Sequence, residues 1–106
     1  MSLPKPNNVL PLEGEIDLSI SPQIASSIKK MIEKRPARVV VDLSRVPYID
    51  SSGLAVLIDG MQTVEEYGGR LMLAGLHEEV RAILETARLD RVFLTFPHVD
   101  AALAAV

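Results

Sequence analysis

The stretch Tyr48-Ile49-Asp50-Ser51-Ser52-Gly53-Leu54 decides how this chain is read. It follows a short β-branched run, Val39 to Val41, and leads into a helical pattern that starts at Leu54. A strand that turns through Asp-Ser-Ser-Gly into a helix sets one carboxylate and two hydroxyls at a helix N-terminus. Unsatisfied backbone N–H groups converge there, and the macrodipole favours negative charge. Ser and Asp are also preferred N-cap residues, so the same letters describe a plain cap with no function attached. The flanking elements have to separate the two readings.

Upstream, Val9 to Leu12 is a short apolar run in which Pro11 argues for an edge strand or a strand end. Gly14-Glu15-Ile16-Asp17 closes it with a turn. Ser21-Pro22 reads as a hydroxyl at N-cap and proline at the first helical position. Ile24, Ile28, Met31 and Ile32 then recur at helical spacing as one buried stripe. Pro36 ends that helix before a strand, Arg38 to Leu43, in which Val39, Val41 and Leu43 alternate with Asp42 and Ser44. Residues 1 to 8, with two prolines and two asparagines, read as an extended, poorly ordered lead.

Downstream, Leu54, Leu57, Ile58, Met61 and Val64 line one face of a second helix, and Asp59, Gln62 and Glu66 fall toward the other. Gly68-Gly69 ends it, because glycine accepts the left-handed conformation at C′. Gly60 inside the pattern implies close packing of another backbone. Arg70 to Ala74 is a third strand, Val80, Ile83, Leu84 and Ala87 mark a third helix, and Val92 to Phe96 is a fourth strand. Asp100 reads as the cap of a short terminal helix. Strands alternating with helices at this spacing predict an α/β domain with a largely parallel sheet and right-handed crossovers. In such sheets the loops at the carboxyl ends of strands carry the site. Gly14 to Asp17 and Tyr48 to Ser52 both follow strands, which places them together at one edge and raises the central loop above a mere cap.

Composition narrows the chemistry. The 106 residues fit one domain, and 48% hydrophobic content supplies a core. A net charge of −3 without blocks of like charge is a poor footprint for nucleic acid. Cysteine is absent, which removes disulfides, thiol catalysis and cysteine metal sites. The start of the chain has no signal-peptide core and no window approaches a membrane span, so a cytoplasmic protein without membrane insertion is expected. The two histidines, His77 and His98, fall in different elements, so neither a metal nor another cofactor is expected. An enzyme is not expected either. Ile49-Asp50-Ser51-Ser52-Gly53 lacks the first glycine of a nucleophile elbow, and nothing links a histidine base to Ser51. No phosphate-cradling glycine loop with a lysine is present.

Ser51 fits a phosphoacceptor better. A phosphoryl group there adds about −1.5 to −2 charges at a helix start, which the dipole stabilises by roughly 0.3–1 kcal/mol. Facing Asp50 at ~6 Å, two charges against one cost about 1.4 kcal/mol in water and about 5.5 kcal/mol at an effective dielectric of 20. A partner docked over the loop meets a new, partly desolvated anion, while the domain itself changes little. Leu18 and Ile20, apolar residues in a loop before a helix, are candidates for partner contact.

Asp50-Ser51-Ser52-Gly53-Leu54 after an apolar strand, Gly14-Glu15-Ile16-Asp17 upstream, and Gly68-Gly69 before the strand Arg70 to Ala74 resemble the STAS domain of bacterial anti-sigma factor antagonists. The likeness runs over roughly residues 9 to 106. It implies a mixed, mostly parallel sheet of four to five strands packed by about four helices. It also implies partner switching, in which the unphosphorylated domain binds an anti-sigma factor that is also a serine kinase, releasing the sigma factor. Phosphorylation of the serine after the aspartate, Ser51 here, ends the interaction, and a PP2C-type phosphatase reverses it. By the same resemblance Asp17, Asp50, Ser52 and Gly53 are neighbours of the acceptor and the docking surface. The family opens with a strand hairpin, whereas residues 1 to 8 imply a first strand that is short or missing. STAS-like domains also serve as non-switching subunits of lipid-transport ABC complexes, which is the alternative reading.

Overall fold

The computed structural model describes residues 8–105. The expected lead at residues 1 to 8, and with it the expected short or missing first strand, lies outside them except for Asn8. The Asn8 carbonyl accepts the Val40 amide at 2.8 Å.

The elements alternate as β1 (Val9–Glu13), α1 (Ser21–Ile32), β2 (Arg38–Arg45), α2 (Ser51–Glu66), β3 (Arg70–Ala74), α3 (Glu78–Thr86), β4 (Leu94–Phe96) and α4 (Val99–Ala104). The four strands form one sheet in the order β1-β2-β3-β4, and every pairing among them is parallel. An antiparallel partner, as a mixed sheet requires, is not among the described residues. Pro11 lies in edge strand β1, next to a register shift between Pro11 and Glu13, where a missing N–H is tolerated.

A sheet whose strands advance in one direction through right-handed crossovers carries all its crossover helices on one face. The core follows that rule. Val39, Val41 and Leu43 of β2 and Leu71 and Leu73 of β3 pack with Ile24 and Ile28 of α1, Leu57 and Val64 of α2, and Val80 and Leu84 of α3. Each such side chain contributes about 1.5–3 kcal/mol on burial. The alternate positions Val40, Met72 and Ala74 face the other way and are covered by Ala102 of α4. Burial on both sides is why Val39-Val40-Val41 is a continuous apolar run.

Several expectations are corrected. Helix α1 begins at Ser21, but Ile20 occupies its N-cap position and no side chain caps it; the Ser21 hydroxyl is used elsewhere. Helix α2 begins at Ser51, three residues before Leu54, because Asp50 caps it. Strand β4 is only Leu94–Phe96, with Val92 in the preceding turn and Phe93 buried. The cap of α4 is His98, whose Nδ1 accepts the Ala101 amide at 3.1 Å, and Asp100 lies in the first turn. At Gly60 the close neighbour is a side chain, Ile28 of α1, and not a backbone.

Candidate functional site

Two loops meet where β1 and β2 end. The Ile16 amide donates to the Tyr48 carbonyl and the Asp50 amide to the Ile16 carbonyl, both at 3.0 Å, and Ile16 and Ile49 form a parallel bridge. Ile16 and Ile49 are each 1% exposed. This buried pair fastens Asp17 and Asp50, the residues that follow, to one rim.

Gly53 lets α2 come down onto that pair. A Cβ there would stand 2.6 Å from Cγ2 of Ile16 and 2.7 Å from Cγ1 of Ile49. Gly53 is therefore buried beneath the rim, not presented on it. Asp50 is the N-cap of α2: its Oδ1 accepts the amides of Ser52 at 2.9 Å and Gly53 at 3.1 Å, and the Ser52 hydroxyl at 2.5 Å. The Ser52 hydroxyl above all, then the amides of Gly53, Ser52 and Leu18, hold the Asp50 carboxyl below the ordinary value of 3.8 against a smaller opposing effect of burial. The carboxylate is an anion at neutral pH.

The adjacent serines differ. Ser52 Oγ lies 2.8 Å from Ser21 Oγ while donating to Asp50. Ser21 is 4% exposed, and its Oγ also lies 2.7 Å from the Asp17 carbonyl oxygen. Two hydroxyl protons serve three short contacts. That of Ser52 goes to the carboxylate, so that of Ser21 is shared between Asp17 and Ser52. Ser51, by contrast, is exposed, and neither its hydroxyl nor its amide has a hydrogen-bond partner among the described residues.

On one side Ser51 borders an open groove of about 410 Å³ lined by Tyr48, Leu54, Ile83 and Thr86 among others. Tyr48 is itself 43% exposed. Over the other loop, Leu18 is 73% exposed. Ile20 is half-buried and packs on the core, so Leu18 is the more exposed of the two apolar loop residues. Asp17 Oδ1 accepts the amide and hydroxyl of Ser19, which holds the loop in a tight turn.

The family model described as the STAS domain matches residues 2–102. The chain belongs to the STAS domain family. One relative is BtrV of Bordetella bronchiseptica, provisionally named an anti-sigma factor antagonist. It is 30% identical over 94 residues, 89% of this chain and 81% of that protein. A crystal structure of an anti-sigma factor antagonist from Mycobacterium paratuberculosis matches with a TM-score of 0.84 at 28% identity, covering 92% of this chain and 83% of that one. The anti-sigma factor antagonist SpoIIAA in its unphosphorylated form matches with a TM-score of 0.71 at 25% identity, covering 82% of this chain and 76% of that one.

In this STAS domain the structure gathers Asp17, Leu18, Asp50, Ser51 and Ser52 on one rim, with Gly53 beneath it. It adds Ser21, which the sequence presents as an ordinary helix cap. Its only sequence signal is a hydroxyl directly after the apolar loop residue Ile20. No helix of the described residues is long and apolar enough to cross a membrane.

Proposed function

We propose that this STAS domain is an anti-sigma factor antagonist whose hold on its partner ends when Ser51 is phosphorylated. The observation that carries the reading is the contrast within the pair: Ser51 is exposed and unbonded, beside a carboxylate fixed in its ionised form. Relatives named as anti-sigma factor antagonists support the general role.

The mechanism follows from charge and rigidity. A partner seats on the rim formed by Leu18, Tyr48 and the start of α2. Phosphoryl transfer forms a bond between phosphorus and Ser51 Oγ and breaks the bond between the β and γ phosphates of ATP. ADP leaves, and the hydroxyl proton passes to a base of the kinase. The new dianion stands beside Asp50 on a frame that Ile16, Ile49 and Gly53 keep from yielding. Repulsion of a few kcal/mol under a docked, partly dry partner weakens binding by roughly a hundredfold or more. In this reading the partner is the anti-sigma factor serine kinase and a PP2C-type phosphatase restores the hydroxyl.

The test is labelling with ATP by each anti-sigma factor kinase of the same genome, purified in turn. A single phosphate is expected, lost in Ser51→Ala. Equal labelling of that variant overturns the site. A partner that binds Ser51→Asp as tightly as the native chain would instead favour a permanently docked subunit, as in a lipid-transport ABC complex.

A further inference from the structure

The rim presents two neighbouring serines in one sequence context, and nothing in Asp-Ser-Ser-Gly itself says which a kinase takes. We propose that the buried Ser21 hydroxyl selects between them, by holding the Ser52 hydroxyl turned inward in a hydrogen-bond chain with Asp50 so that Ser51 is the available phosphoacceptor. The inference rests on the phosphoswitch reading given above and names its specificity-determining residue.

The geometry argues it in three steps. A serine attacks the γ-phosphorus of ATP through a lone pair on Oγ, with its proton leaving to a base. The Ser52 hydroxyl donates to Asp50 Oδ1 at 2.5 Å, and its oxygen lies 2.8 Å from Ser21 Oγ. To react, it must turn out of both contacts. Second, Ser21 is positioned to keep Ser52 there. Its backbone amide donates to the Asp17 carbonyl at 2.9 Å, its hydroxyl reaches the same carbonyl, and the residue is 4% exposed. A hydroxyl this buried and doubly engaged has little rotational freedom, so the Ser52 rotamer facing it is fixed. Third, Ser51, one residue earlier on the helix, has none of these partners and is open to solvent.

Ser21 makes no hydrogen bond to Ser51 and acts through Ser52. It is a positioning residue. The Asp17 loop and the α2 start are thereby joined through side chains as well as through the backbone at Ile16 and Ile49.

Site mapping and a kinase-free measurement test this. With the kinase that labels the native chain, phosphate is expected on Ser51, with no more than a measurable trace on Ser52. In Ser21→Ala the share on Ser52 should rise by roughly two- to tenfold, the worth of one ordinary hydrogen bond. Ser21→Ala/Ser51→Ala should accept phosphate on Ser52, and Ser21→Thr, which keeps the hydroxyl, should remain specific for Ser51. An unlabelled Ser21→Ala/Ser51→Ala chain that unfolds at the same temperature as Ser21→Ala overturns the proposal, as does a Ser52 label in Ser21→Thr equal to that in Ser21→Ala. Independently, the Hα–Hβ couplings of Ser52 by NMR should report one χ1 rotamer in the native chain and averaging in Ser21→Ala. A Ser52 rotamer that stays single in Ser21→Ala overturns the proposal whether or not a kinase is found. Absence of any label on the native chain counts against the phosphoswitch reading instead.

Discussion

The Ser21 and Ser52 hydroxyl oxygens lie 2.8 Å apart, 31 residues apart in the chain, and tie the start of α1 to the start of α2. Among the described residues this is the one side-chain-to-side-chain hydrogen bond that joins two elements. It has a stability consequence separate from any phosphorylation. Ser21→Ala removes both part-buried contacts of the one hydroxyl, to Ser52 Oγ and to the Asp17 carbonyl, while that carbonyl keeps the amides of Ile20 and Ser21. The expected loss is about 0.5–1.5 kcal/mol. Urea unfolding should show a lower midpoint with an unchanged slope.

Gly53→Ala should cost more. The added methyl meets Cγ2 of Ile16 and Cγ1 of Ile49, atoms close to the backbone on stiff β-branched side chains. Neither can swing aside without moving the bridge between Ile16 and Ile49. Overpacking of this kind costs about 1–3 kcal/mol, and alanine's helix advantage of about 1 kcal/mol offsets only part of it. A melting temperature at or above that of the native chain would show that the rim yields.

Asp50 sets the acid limb. Its carboxyl is held below 3.8 in the folded chain, chiefly by the Ser52 hydroxyl. Its contribution is therefore complete above the unfolded value and is lost as pH falls through the lower folded value. Asp50→Asn keeps an oxygen acceptor but does not titrate. The stability difference between native chain and variant should be constant between about pH 5 and 7 and shrink below about pH 4. Urea midpoints across that range, with a carboxyl carbon NMR titration of Asp50, check both statements.

Much of this was legible in the residues because it depends on local rules. The strands of Val39 to Val41 and Arg70 to Ala74, the glycine stop at Gly68 and the meeting of the Asp17 and Asp50 loops all follow from period, turn chemistry and strand order. What was not legible depends on choices that the tertiary fold makes. Ser21 reads as a cap, yet its hydroxyl prefers a partner brought from another element. Asp100 outranks histidine as a cap by propensity, but the end of β4 at Phe96 puts His98 at the helix start. The first apolar residue of α2 is Leu54, and periodicity is blind to the polar first turn that Asp50 caps.

His98 gives that last point a measurable form. Its Nδ1 satisfies the Ala101 amide, and α4 in turn covers Val40 and Met72 on the outer face of the sheet. His98→Ala should lose about 0.5–2 kcal/mol, with His98→Asn recovering most of it. Amide exchange should accelerate in α4 well before it does in α2. Uniform acceleration across the chain would mean that α4 does not open on its own.

Partner binding separates charge from contact. Leu18 is 73% exposed, so Leu18→Asp should leave stability within about 0.5 kcal/mol of native. If the partner seats over this loop, the same change desolvates a carboxylate beside Asp50 and should weaken binding by roughly a hundredfold, as Ser51→Asp should. The two variants then differ in salt dependence. Ser51→Asp acts mainly through repulsion, so raising ionic strength to 1 M, where the screening length is about 3 Å, should recover part of its affinity. Leu18→Ala removes apolar contact without adding charge, and its smaller loss should persist in salt. Calorimetry at both ionic strengths reads the pattern, and equal salt recovery for Leu18→Ala and Ser51→Asp would place the partner elsewhere on the domain.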